Sequence, residues 1–329
     1  RTWKVFNIKE KRDTDDVIEW SKFSYATWES DSSGFYYQKY QQPDEALSDI
    51  NKSPQLFFHR LGDEQGKDKL IYEDKANPDF SWSINVPEKG RYRVLSIGEG
   101  TDERNYLSIS LDESLNFIPL IDKFEATYRF LGGNEETLWF FSNLNSPNGK
   151  ILSLKINDGN FIWDEIVAEK EFPISGASVA GDKLIINYLV DTISKVEFFD
   201  LEGNFIEELT FKGEGSLSGF YGKLENKFSY FEFSNFTTPQ SIYELDLETL
   251  SYKPYWQTEI KGLNIKDYAG RLDFYKSKDG TSIPIHISHR KDLEITSQTP
   301  VLLYGYGGFN IPILPYFSKT FYIWIKSGG

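Results

Sequence analysis

Cysteine is absent from the 329 residues, which excludes a disulfide framework and any thiolate metal site. Methionine is absent too, which is unusual at this length. Histidine occurs only three times, at His59, His286 and His289. None stands at a zinc-type spacing with carboxylates. His286 and His289 fall in the stretch 283–289, where a strand would send them to opposite faces, so no joint metal site is expected. Basic residues are outnumbered: 36 Lys and Arg against 50 Asp and Glu give a net charge of −14. With no basic stripe and no Lys/Arg run, nucleic acid is not an expected partner. No apolar run approaches the length of a membrane span, and no signal-peptide pattern opens the sequence.

What is present favours strands. Apolar residues make up 39% of the chain and aromatics 16%, enough for a sizeable core rich in strand formers. The length suits one large or two ordinary domains. A pattern recurs along most of the sequence: an aromatic and β-branched strand, a loop, a second strand, then a turn. The first strands are 34–38, 91–95, 137–141, 183–187 and 227–231; their partners are 55–59, 106–110, 151–155, 195–199 and 241–245. From Val94 through Leu138 and Leu184 to Phe228 the interval is roughly 45 residues, the mark of a β-propeller whose blades bury their faces against one another. A large β-sandwich is the competing architecture, and the even spacing favours the propeller. The alternating stretch 3–8 reads as a strand of a blade that is incomplete at the N-terminus. Consecutive four-stranded antiparallel blades are expected across roughly residues 10–260.

The pattern changes near Ile260-Lys261-Gly262. Residues 271–275 and 283–289 flank the Asp279-Gly280 hairpin signal. After Pro300 the apolar run Val301-Leu302-Leu303 predicts a short buried strand, followed by Tyr304-Gly305-Tyr306-Gly307-Gly308-Phe309-Asn310. Glycines there let backbone approach a ligand closely. Antiparallel strands followed by a buried strand with a Gly-rich loop is how an α/β-hydrolase domain opens, and that loop supplies part of the oxyanion hole. A tyrosine hydroxyl in it is a candidate oxyanion donor. A plain Gly-rich turn between two strands is the other reading of the loop.

Residues 260–329 resemble the start of the peptidase domain of the prolyl oligopeptidase family. The strings that carry the resemblance are Tyr275-x-Ser277-Lys278-Asp279-Gly280-Thr281-x-Ile283-Pro284 and Leu303 to Ile311. Upstream, Lys22-Phe23-Ser24, Gly90-Arg91-Tyr92 and Glu99-Gly100-Thr101-Asp102 also look like this family, so the match covers essentially the whole chain. The resemblance implies a mainly β protein, with a seven-bladed β-propeller (residues 1–260, incomplete at the N-terminus) followed by the opening strands of an α/β-hydrolase domain (261–329). It implies a serine endopeptidase that cleaves short peptides on the carboxyl side of proline, with the propeller excluding folded proteins. Tyr306 would donate to the oxyanion, Phe309 would line the proline pocket, and Phe23 would face the peptide. Short proline-containing peptides are the implied partners of a monomer that needs no cofactor and no metal. The implied compartment is the cytoplasm, with the periplasm as the alternative.

The departures bear on catalysis. A nucleophile elbow needs Gly-x-Ser-x-Gly on a strand-to-helix turn. Gly215-Ser216-Leu217-Ser218-Gly219 has leucine at the centre, and Gly176-Ala177-Ser178-Val179-Ala180-Gly181 has one residue too many. No histidine is placed as the base, and His289 reads as structural. In the family the serine, aspartate and histidine come later than Gly329, so this segment alone is predicted inactive. Gly98 stands where some relatives carry an arginine that touches substrate. Two alternatives stay open: a propeller-based binding protein with a degenerate hydrolase segment, and an exopeptidase of the same fold.

Overall fold

The computed structural model describes residues 2–40, 52–89, 92–157, 159–308 and 311–329. The chain divides into two compact units, residues 1–168 and 169–329.

In the first unit, β1 (Thr2–Asn7) and β2 (Arg12–Glu19) form an antiparallel hairpin. Three four-stranded antiparallel sheets follow, each a simple meander. The first sheet is β3 (Thr27–Trp28), β4 (Gly34–Lys39), β5 (Gln55–Arg60) and β6 (Lys69–Glu73). The second is β7 (Phe80–Asn85), β8 (Arg93–Glu99), β9 (Asn105–Ser110) and β10 (Ile118–Ile121). The third is β11 (Tyr128–Gly133), β12 (Thr137–Ser142), β13 (Lys150–Asn157) and β14 (Asn160–Val167).

The second unit carries two more. The fourth sheet is β15 (Ile174–Ala180), β16 (Lys183–Val190), β17 (Ile193–Asp200) and β18 (Phe205–Glu208). The fifth is β19 (Ser216–Tyr221), β20 (Phe228–Ser234), β21 (Ser241–Asp246) and β22 (Tyr252–Gln257). Among the described residues, a two-stranded hairpin, β23 (Tyr268–Lys276) and β24 (Ser282–Arg290), and one α-helix, α1 (Lys319–Lys326), follow. Every strand pair is antiparallel, as the repeat predicts, and each predicted pair of strands is the inner pair of one sheet.

Those inner strands are apolar on both faces because sheets stack face to face. Tyr36 points to the second sheet, where it meets Trp82, Ile84, Leu95 and Ile97. Its neighbours Phe35 and Tyr37 point the other way, onto Ile18 of the hairpin. Val94 likewise faces the third sheet while Leu95 faces the first. In the second unit Ile185, Val196 and Phe198 pack on Leu217, Phe231, Phe233 and Leu245 of the fifth sheet. Burying an aromatic or aliphatic side chain fully contributes about 1.5–3 kcal/mol, and Phe140, Phe198 and Leu138 are all at 0% exposure.

A recurring polar contact joins consecutive sheets. The first strand of a sheet has one free edge whose N–H groups need acceptors. Gln38 Oε1 accepts from Trp82 N (2.8 Å), Asn105 Oδ1 from Tyr128 N (2.7 Å) and Ser194 Oγ from Leu217 N (2.9 Å). Each acceptor lies in an inner strand and each donor in the first strand of the next sheet, so the stacking register is fixed by hydrogen bonds as well as by apolar burial.

The C-terminal stretch departs from expectation in one element. The Asp279-Gly280 hairpin forms: Gly280 takes a positive φ of 86°, and Lys276 pairs with Ser282. The buried strand at 301–303 does not. Val301, Leu302 and Leu303 have no regular structure and are 81%, 50% and 80% exposed. Local apolarity selects strand, but a strand persists only where neighbours take its N–H and C=O groups. Among the described residues no strand lies beside this segment.

Candidate functional site

Phe23 lies in a tethered segment between β2 and β3. Ser21 Oγ donates to the carbonyl of Gln38 (3.1 Å), and Ser24 Oγ accepts from Gln38 N (2.7 Å). Tyr40 N donates to the carbonyl of Trp20 (3.3 Å). A second anchor follows at Glu29. Its carboxylate accepts a fork from Arg93, with Nε at 2.9 Å, and the hydroxyl of Tyr36. Arg93 is 7% exposed, so this ion pair is buried. Burial, and then the Glu29 carboxylate, push the Tyr36 hydroxyl upward; burial would lower the Arg93 guanidinium, but Glu29 outweighs it. Phe23 sits between these anchors at φ +52° and 68% exposed, with the Lys22 ammonium 5.0 Å from its ring centre. Positive φ costs a side-chain-bearing residue about 1–2 kcal/mol. The tethers hold an aromatic ring out of the core in a backbone conformation it disfavours, a pattern that clusters at functional sites.

Tyr306 lies in the second unit on a looser segment. It is 54% exposed. Its ring folds back over Gly308, where an added Cβ would stand 2.9 Å from the tyrosine hydroxyl oxygen, so the glycine makes room for that fold. Tyr304 provides a contact to the helix, its ring 5.5 Å from that of Phe321. The helix is held by Tyr322, whose hydroxyl donates to the carbonyl of Gly262 (2.9 Å). Phe309 lies outside the described residues. Phe23 and Tyr306 fall in separate units.

The imidazoles make structural contacts. His286 Nε2 lies 2.6 Å from Thr192 Oγ1, and burial lowers its pKa against the raising effect of Glu214. His289 Nδ1 lies 2.8 Å from the carbonyl of Arg290. His59 lies between Asp68 (2.7 Å) and Asp16 (3.1 Å). Among the described residues no serine hydroxyl is bonded to a histidine ring. Ser178 donates to the carbonyl of Phe220 (2.7 Å) from β15, and Ser216 lies in β19; neither stands on a strand-to-helix turn. Gly98 lies in β8 opposite Asn105.

Two features escape a reading of the sequence. A cavity of about 250 Å³ in the second unit is lined by Glu214, Thr237, Arg271, His286 and Ser288, from four separate stretches of chain. The Asp16–His59–Asp68 set joins residues 43 and 9 positions apart. Its one signal in sequence is a histidine on the inner aromatic strand 55–59.

Residues 1–258 match the family model for the N-terminal β-propeller domain of prolyl oligopeptidase. The prolyl endopeptidase of Elizabethkingia meningoseptica is 30% identical over 328 residues, covering 99% of this chain and 46% of that protein. That of Elizabethkingia miricola is 31% identical over the same length. The chain thus spans about half the length of the curated relatives it matches. A solved structure from a study of two prolyl endopeptidases and their inter-domain dynamics superposes with a TM-score of 0.81 at 31% identity, over 100% of this chain and 47% of that one. Prolyl oligopeptidase B from Galerina marginata, bound to a 35mer hydrolysis and macrocyclization substrate, shares the fold with a TM-score of 0.87 at 23% identity, over 96% of this chain and 46% of that one. Five four-stranded meanders and a family match over residues 1–258 lead to one conclusion: the chain belongs to the prolyl oligopeptidase family, and its sheets are those of the family's β-propeller.

Proposed function

We propose that this chain is the propeller and the opening of the catalytic domain of a serine endopeptidase that cleaves short peptides on the carboxyl side of proline. The observation that carries the reading is the likeness to bacterial prolyl endopeptidases over 99% of the chain, through the Gly-rich loop as well as the propeller. On this reading the propeller spans 1–260 and has seven blades in the whole protein, and 261–329 open the α/β-hydrolase domain. The Ser-His-Asp triad belongs to the part of the relatives that this chain does not match.

The chemistry is acyl transfer. The serine hydroxyl, its proton taken by histidine, attacks the carbonyl carbon of proline. The carbonyl oxygen becomes an oxyanion, and the Tyr306 hydroxyl donates to it. The leaving amine takes the proton, and water then releases the acyl group. Phe309 packs on the proline ring and Phe23 faces the bound peptide. The exposed, anchored Phe23 and the half-exposed Tyr306 support these roles, because both stand available to a ligand. The whole protein acts as a monomer without cofactor or metal, in the cytoplasm or, alternatively, the periplasm. Among the described residues no helix is long and apolar enough to cross a membrane.

The test uses the full-length protein and paired peptides that differ only in proline or alanine at one position, with products identified by mass spectrometry. Cleavage after proline and not after alanine is expected, and residues 1–329 expressed alone should cleave neither. Full-length protein that binds the peptides without cleaving them would establish the binding-protein reading. Release of residues only from one end would establish an exopeptidase.

A further inference from the structure

The tethered segment that presents Phe23 also presents a cation, and the same anchors fix the place of both. Trp20 takes φ +60° and Phe23 φ +52°, so the backbone enters the left-handed region on either side of Ser21 and Lys22. Bulky aromatic residues rarely take that conformation, and neighbours have to impose it. The carbonyl of Trp20 accepts from Tyr40 N (3.3 Å). Ser21, at 0% exposure, donates its hydroxyl to the carbonyl of Gln38 (3.1 Å). Ser24 Oγ accepts from Gln38 N (2.7 Å) and donates to the carbonyl of Tyr25 (3.3 Å). Lys22 therefore lies between pinned residues. Its half-buried side chain folds over the exposed ring of Phe23, with Nζ 5.0 Å from the ring centre.

The ring attracts the ammonium through its π face but supplies no oxygen. An ammonium carries three N–H donors, and charge-assisted bonds to carboxylate oxygens suit them best. Resting on the ring limits the rotamers of a long side chain, so less freedom is lost when a ligand arrives. One residue of extended chain spans about 3.3–3.6 Å. A peptide packed on the Phe23 ring thus brings a carboxylate one or two residues from the point of contact within reach of Nζ. The chain's net charge of −14 opposes anions at a distance, so a preference for a carboxylate has to be made by a local group.

We propose that Lys22 is a specificity-determining residue that selects peptides carrying a carboxylate close to the proline, from an acidic side chain or from the peptide's own C-terminus. The proposal rests on the reading of Phe23 as a ring that faces the bound peptide. Phe23 offers apolar contact to any peptide; the ammonium beside it distinguishes an acidic peptide from a neutral one. The discrimination is short-ranged and weakens as salt is added.

The test uses the full-length protein and paired peptides that contain one proline. In one set Glu replaces Gln at each position flanking the proline in turn. In the other the same short peptide ends in a free carboxylate or in an amide. The readout is the ratio of kcat/KM, acidic member over neutral member, which compares two peptides on one protein and so cancels any loss of folded enzyme in a variant. At low ionic strength wild type should favour the acidic member of at least one pair by up to about fivefold, the upper range for a partly exposed ion pair. The set that shows it identifies the source of the carboxylate. The ratio should fall to about one in Lys22→Gln, persist in Lys22→Arg and shrink in high salt. A ratio of one in every wild-type pair, or a ratio that survives in Lys22→Gln, would overturn the proposal. Where the peptides are bound but not cleaved, Kd gives the same ratio, so the cleavage reading can fail while the role of Lys22 is still decided. Peptides neither cleaved nor bound would overturn both.

Discussion

The two segments that carry the candidate site residues are built on opposite principles. The Phe23 segment is over-determined: two serines grip the backbone of Gln38, Glu29 is locked in a buried ion pair, and the residue between them takes a disfavoured backbone conformation. The Tyr306 segment is glycine-spaced, and among the described residues it has little to hold it beyond Tyr304 against Phe321. The comparison teaches that pre-organisation comes from neighbours that tie the backbone. The Phe23 segment finds those neighbours within its own unit, in β4 and β8. A strand such as 301–303 needs at least one paired neighbour, and among the described residues it has none.

Removing an anchor from the tethered segment sharpens the comparison most. Arg93→Ala leaves the Glu29 carboxylate buried without its partner, which costs about 3–5 kcal/mol. A large drop in melting temperature is expected, together with a raised KM for proline peptides in the full-length protein. An unchanged melting temperature would show that the Phe23 segment is held by the serines alone. A smaller effect, of the opposite sign in stability, is expected at the strained residue itself. Phe23→Gly removes an exposed ring and relieves up to about 1–2 kcal/mol of positive-φ strain, partly offset by the flexibility of glycine. The melting temperature should hold or rise while KM for proline peptides rises. A fall in melting temperature with KM unchanged would assign the ring to packing and erase the contrast.

How much was legible in the sequence follows burial. The inner strands of all five sheets stand out because both of their faces are covered, so 137–141 and 183–187 read as nearly continuous apolar runs. Outer strands do not: all four residues of β18 are exposed, and so are Lys253 to Gln257 of β22, so their composition is that of any surface. The Gly-rich string at 304–308 is visible because its chemistry is local. The run 301–303 misleads for the converse reason, since pairing is decided by neighbours rather than by the run. At Phe23 the Lys-Phe-Ser string marks the residue through resemblance, but its strain and its anchors depend on Gln38 and Arg93, far along the chain. The Asp16–His59–Asp68 set shows in sequence only as a histidine on the inner strand 55–59, because Asp16 reaches it through packing of the separate β1–β2 hairpin on the first sheet.

The central claim, that the loosely held segment supplies an oxyanion donor, rests on one hydroxyl. Tyr306→Phe in the full-length protein keeps the ring and removes that donor. Loss of a single donor of this kind lowers kcat about 10²–10³-fold, or about 3–4 kcal/mol. KM should change far less, because the bond strengthens chiefly in the transition state. The melting temperature should match wild type, because the side chain is already half exposed. An unchanged kcat on a proline peptide, with wild-type melting, would contradict the account and remove Tyr306 from the active site.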